Sequence, residues 1–170
     1  MVALHEVLDD ELPVGPYVVP DPPAHRQVVD AVAFHRREVA QPFLAALVAE
    51  ADAWTQKSGQ PLVDERMRAA VAAQVDGAVA AGADLLTGGA VPEGPGSHYP
   101  ATVLSEVPEG AEVLTEETFG PVAPVVIVDD FEEGLRLAAA DRYGLAATVL
   151  TPDMTHAHRA AALLLSLIHI

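Results

Sequence analysis

Apolar residues recurring at four-residue spacing mark the most regular element of the chain. Met67, Val71, Val75 and Val79 form one stripe within residues 64–81, acidic residues open the segment, and Gly82 stands where a C-terminal cap belongs; the pattern predicts a helix. Phe43, Leu47, Ala51 and Trp54 continue a second stripe that Ser58 and Gly59 close, with Pro42 interrupting or restarting the run ahead of it. From Ala24 onward, His25, Arg26, Asp30, Arg36, Arg37 and Glu38 interleave with Val28, Val29, Val32 and Phe34, the pattern of an exposed amphipathic helix. Phe131, Leu135 and Ala138 or Ala139 predict a further helix, and residues 152–164 another, with Pro152 suited to its first turn.

Between these stripes lie short apolar runs. Residues 125–128 have the β-branched density of a fully buried strand. Residues 83–87 read as a short buried strand ended by Gly88 and Gly89, and residues 98–104 and 145–150 as two more. Five prolines within residues 1–23 break up the start of the chain, leaving room for one short strand over residues 12–19. Residues 90–97 and 108–111 are expected as a loop and a turn. The alternation of helix and strand in the second half predicts an α/β domain.

Composition narrows this reading. A chain of 170 residues with 51% hydrophobic content suffices for one domain with a sizeable core. There is no cysteine, so no disulfide staples it, in keeping with a cytoplasmic location. Asp and Glu number 25 against 9 Lys and Arg, the net charge is −16, and Lys57 is the single lysine. Phosphate backbones are bound by basic stripes, so this balance argues against a nucleic-acid partner, and it argues equally against an anionic membrane surface. No signal-peptide pattern opens the chain, and no apolar run approaches the roughly 18 residues of a spanning helix.

Seven histidines raise the question of a metal. His156 and His158, two apart on an expected helix, point to different faces, and no H-E-x-x-H spacing occurs, so no metal site is predicted. Asp129, Asp130, Glu132 and Glu133 are the acids expected at a helix start from its dipole. Trp54 reads as a packing anchor.

One stretch carries more specific information. Glu116-Glu117-Thr118-Phe119-Gly120-Pro121-Val122 resembles the E-E-x-F-G-P motif of aldehyde dehydrogenases. Pro61-Leu62-Val63, Ala83-Asp84-Leu85-Leu86-Thr87-Gly88-Gly89, His98-Tyr99-Pro100-Ala101-Thr102-Val103-Leu104 and Tyr143-Gly144-Leu145-Ala146-Ala147 are similar to that family in the same order. The resemblance covers residues 43–164 and implies an incomplete α/β catalytic domain, its C-terminal portion, without the cofactor-binding domain. Residues 1–42 are an unassigned lead-in. Residues 165–170 read as the translation of a sequencing-library adapter.

The resemblance also implies chemistry. A carboxylate accepts from both hydroxyls of a ribose diol, and an aromatic face beside it packs a nicotinamide ring. Glu117 corresponds to the glutamate that holds the nicotinamide ribose, and Phe119 to the ring nearby. The full-length parent is then expected to oxidise a small-molecule aldehyde to a carboxylic acid with NAD or NADP, as a homo-oligomer. Ala123-Pro124 is similar to the succinate-semialdehyde branch. The family's reaction runs through a cysteine thiolate, and this chain has no cysteine. No catalytic residue is therefore assigned, and the chain alone is expected to be inactive. The alternative is a non-catalytic fragment or relic with a structural or subunit-association role. One departure stands out: Leu137-Ala138-Ala139-Ala140-Asp141 offers alanines in the region where the family usually has an asparagine before Tyr-Gly-Leu, which puts that amide's backbone contact in doubt.

Overall fold

The computed structural model describes residues 2–5, 32–57, 61–144 and 147–164. Among them lies a sheet of six strands: β1 (Val2–His5), β2 (Val32–Arg36), β3 (Asp84–Thr87), β4 (Thr102–Ser105), β5 (Val122–Val128) and β6 (Ala147–Leu150). Their order is β3-β4-β5-β2-β1-β6. Every neighbouring pair is parallel except β3 and β4. Five helices accompany it: α1 (Arg37–Lys57), α2 (Glu65–Ala80), α3 (Glu112–Thr115), α4 (Phe131–Ala139) and α5 (Met154–Leu163).

Alternation along the central strands sorts the helices onto two faces. Leu104 and Val122 pack with Val71 and Val75 of α2, whereas Val103 and Val125 pack with Leu44 and Ala51 of α1. Val128 and Val126 lie with Phe131 and Leu135 of α4 and Ala160 of α5. Thus α1 covers one face and α2, α4 and α5 the other, the α/β arrangement expected.

The α2 prediction is met within a residue: Asp64 caps it, its Oδ1 accepting from the Met67 amide at 2.7 Å, and Gly82 follows at φ +113°. Its stripe drifts, however. Four residues advance a helix by about 40° beyond a full turn, so Val79 is 40% exposed and Ala78 takes its place in the core.

Several expectations are corrected. Val32 and Phe34 belong to strand β2, not to an amphipathic helix, because the segment pairs with β1 on one side and β5 on the other, and sheet pairing overrides a weak helical pattern. Pro42 neither interrupts nor restarts α1; it sits inside the helix at the loss of one bond to the Glu38 carbonyl. Strand β3 is largely exposed because it forms the antiparallel edge of the sheet; only Ala83 ahead of it is buried. In the predicted strand 98–104 only Thr102 to Leu104 pair regularly, while His98 makes a lone bridge to Pro61. Pro152 lies outside α5, whose cap is Asp153. Helix α3 and strand β1 were not foreseen. The strand expected over residues 12–19, the closing Ser58 and Gly59, and residues 165–170 lie outside the described residues.

Candidate functional site

The motif occupies the loop between α3 and β5. The Glu116 amide closes α3 by donating to the Glu112 carbonyl at 2.9 Å, and the backbone then turns extended. From there exposure alternates: Glu117 and Phe119 face outward, Thr118 and Gly120 are buried. The Thr102 amide donates to the Pro121 carbonyl at 2.8 Å, which starts the parallel ladder of β4 and β5. The Val122 amide bonds back to the Gly120 carbonyl at 2.8 Å, a tight three-residue turn.

Gly120 is required by contact. A Cβ there would lie 2.7 Å from Cγ2 and 2.9 Å from Cγ1 of Val71, whose own exposure is 0%. Helix α2 therefore rests directly on the motif backbone. Phe119, beside it, has φ +51°, a left-handed conformation that costs a non-glycine residue about 1–2 kcal/mol. The residue is nonetheless 61% exposed. A strained backbone that presents an apolar ring to solvent is an arrangement that packing alone does not call for. Among the described residues the Glu117 carboxylate takes no hydrogen bond or ion pair, so both its oxygens remain available as acceptors. Of the two residues expected from the sequence, both thus stand on the outward side of one held segment.

Sequence reasoning missed Glu116's partners. Its Oε2 accepts from Arg142 Nη2 and, at 3.1 Å, from the Tyr143 hydroxyl. Arg142 Nη2 also donates to that hydroxyl at 2.7 Å, and the guanidinium lies 4.8 Å from the Tyr143 ring centroid. Donation to Tyr143, then the charge of Glu116, raise the Arg142 pKa above its already high range. The signal available was the position of Arg142 directly before the Tyr-Gly-Leu stretch. Asp141 supplies a local contact in the turn: its Oδ1 accepts from the Tyr143 amide at 3.0 Å.

A cleft of about 370 Å³ is lined by Leu114, Glu116, Val126, Leu137, Asp141 and Arg142 among others. Neither Glu117 nor Phe119 lines it. Among the described residues no group of three or more His, Cys, Asp or Glu could hold a metal ion, and no helix is long and apolar enough to cross a membrane.

With this geometry in hand, comparison with known proteins is decisive. A model of the aldehyde dehydrogenase family matches residues 30–166. The chain belongs to the aldehyde dehydrogenase family. It is 37% identical over 136 residues to succinate-semialdehyde dehydrogenase (NADP+) 1 of Mycobacterium ulcerans, a match covering 80% of this chain and 29% of that protein. It is 44% identical over 101 residues to a succinate-semialdehyde dehydrogenase of Paenarthrobacter nicotinovorans, covering 59% of this chain and 22% of that one. Among solved structures, succinate-semialdehyde dehydrogenase from Burkholderia pseudomallei superimposes with a TM-score of 0.71 at 32% identity, over 78% of this chain and 29% of that one. The chain thus spans less than a third of the length of these aldehyde dehydrogenases, and its α/β fold is that of part of them.

Proposed function

We propose that the segment 116–121 holds the nicotinamide half of NAD or NADP, in a protein that oxidises a small-molecule aldehyde to a carboxylic acid. The observation that carries the reading is Phe119, strained at φ +51° yet 61% exposed, two residues from an exposed Glu117 whose carboxylate takes no hydrogen bond or ion pair among the described residues. The residues fit the group. An acceptor-only carboxylate suits the two hydroxyls of the ribose, and a solvent-facing aromatic ring suits the flat nicotinamide. Glu117 would hold the ribose and Phe119 would pack the ring. When bound, the cofactor supplies the acceptor for a hydride.

This assigns binding and orientation to the chain. Gly120, by letting α2 rest on the backbone, fixes where Phe119 projects, and burial of Thr118 leaves Glu117 facing outward. A thiolate nucleophile is not among the 170 residues. Incubated with NAD or NADP and a short aldehyde, this chain is expected to yield no reduced cofactor; its appearance would show that catalysis needs nothing outside these residues. Succinate semialdehyde is the proposed substrate, on the strength of the relatives' names and Ala123-Pro124 following the motif.

The binding reading is tested with nicotinamide mononucleotide, which carries only the ring, ribose and one phosphate. Titrated into the isotopically labelled chain, it should shift the amide resonances of Glu117 and Phe119, and Glu117→Gln should weaken it about tenfold. Equal binding by Glu117→Gln, or shifts confined to other segments, would refute the assignment.

A further inference from the structure

The motif's two glutamates do different things. Glu117 faces solvent, while Glu116 is gripped from a distant part of the chain, 26 and 27 residues away, by Arg142 and Tyr143. The three side chains close a triangle: Arg142 donates to Glu116 and to the Tyr143 hydroxyl, and that hydroxyl donates to the same Glu116 oxygen. The turn that carries them is tied locally by the Tyr143 amide, which donates to Asp141 Oδ1 at 3.0 Å.

A residue in the left-handed region persists only where its surroundings over-determine it. Phe119 is held on its C-terminal side by Gly120 against Val71 and by the Pro121 carbonyl paired with Thr102. On its N-terminal side stands α3, four residues long with no side-chain cap, and a helix that short has little stability of its own. Val113, Ala111 and Leu114 pack that end against the core and Thr118 is buried, while the triangle at Glu116 is the side-chain tie that links it to the turn at residues 141–143.

We propose that Arg142 and Tyr143 are positioning residues: through Glu116 they hold the N-terminal end of the segment 117–121 so that Glu117 and Phe119 are presented together. The positioning role rests on the cofactor reading of those two residues; the clamp itself does not. The pair is exposed, at 61% and 43% for the two side chains, so its effect is local ordering, not stability of the whole fold.

Hydrogen exchange on the full chain separates the two. Arg142→Ala and Glu116→Gln should each speed exchange of the amides of residues 116–120 roughly fivefold, with less than a twofold change in α2 and β5. Exchanging the charges, Glu116→Arg with Arg142→Glu, should restore protection to within about twofold of wild type. Arg142→Ala should also weaken nicotinamide mononucleotide about fivefold. Unchanged exchange in the motif, or acceleration spread equally through α2 and β5, would overturn the clamp. Wild-type mononucleotide binding with no loss in Arg142→Ala would overturn its positioning role. If wild type itself does not bind the mononucleotide, the cofactor reading fails, and the exchange rates alone decide the clamp.

Discussion

Adding a single methyl group at Gly120 tests whether α2 sets the position of the motif. An alanine Cβ would sit 2.7 and 2.9 Å from the two methyls of Val71, where ordinary contact begins at 3.4 Å, a shortfall of about 0.7 and 0.5 Å. Val71 has no room to yield: it is fully buried, and a β-branched side chain in a helix is confined to one preferred rotamer. Relief must come from moving α2 or the loop. Overpacking of this kind costs about 1–3 kcal/mol, which for a chain of this size lowers Tm by roughly 2–12 °C. Val71→Ala alone removes two methyls from the core, at about 2 kcal/mol. In the double variant the new methyl enters the space vacated, so the two losses should fall short of additivity by at least about 1 kcal/mol. Urea denaturation of the four proteins measures the cycle. Additive losses, or a Gly120→Ala variant within about 0.5 kcal/mol of wild type, would show that the close approach does not constrain the loop.

Phe119→Gly removes the left-handed penalty, offset in part by glycine's greater freedom when unfolded, and sacrifices little burial because the residue is 61% exposed. Stability should hold or rise by up to about 1 kcal/mol while nicotinamide mononucleotide binding weakens about tenfold; a clear loss of stability would make Phe119 a packing residue instead. Tyr99 gives a pH test. Burial first, and the charge of Asp76 second, push its hydroxyl up to about 12 against the opposing bond from Thr102, and the hydroxyl itself donates to the Gly89 carbonyl at 3.1 Å. Between pH 10 and 12 the unfolded chain ionises this tyrosine and the folded one does not. Its contribution is therefore complete below pH 10 and lost as pH rises to 12, on the order of 2–3 kcal/mol. Denaturation midpoints measured across that window should fall, and Tyr99→Phe should flatten the fall. A wild-type slope unchanged in Tyr99→Phe refutes the assignment.

What the sequence made legible follows from where single patterns dominate. The stripe of α2 and the β-branched run of β5 are strong because burial on one or both faces leaves few alternatives. Strand β2 was misread because its identity comes from its neighbours: β1 and β5 supply ladders on both sides, and nothing local to Val32 or Phe34 announces them. The edge position of β3 is likewise a property of the sheet's order, so Leu85 and Leu86 look like core residues in the sequence and stand half exposed in the fold. Glu117 and Phe119 were readable as candidates through a motif, and both stand exposed in the fold. Arg142 was not, since an arginine on a polar turn looks like any solvated charge until Glu116 is placed opposite it.

Topology alone would have led elsewhere. Ligands of open parallel sheets gather at the carboxyl ends of the strands, and a second cleft of about 380 Å³ does lie at that edge, between α1 and the ends of β4 and β5, with Glu106 and Ile127 among its walls. The motif precedes β5, and the turn of Arg142 and Tyr143 precedes β6, so both belong to the opposite, amino edge. Backbone strain separates the two edges. Among the described residues two non-glycine positions have positive φ, Glu106 at +50° and Phe119 at +51°. Glu106 is a polar residue pointing to water between the buried Ser105 and Val107, which an ordinary turn explains. Phe119 is an apolar ring pointing to water, on a segment pinned at Gly120 and gripped at Glu116, and burial would have been the stable fate for that ring. Among the described residues the fold thus bears strain at both edges, and the strained position at the amino edge is the one that keeps an aromatic residue exposed, where the proposed nicotinamide ring would pack.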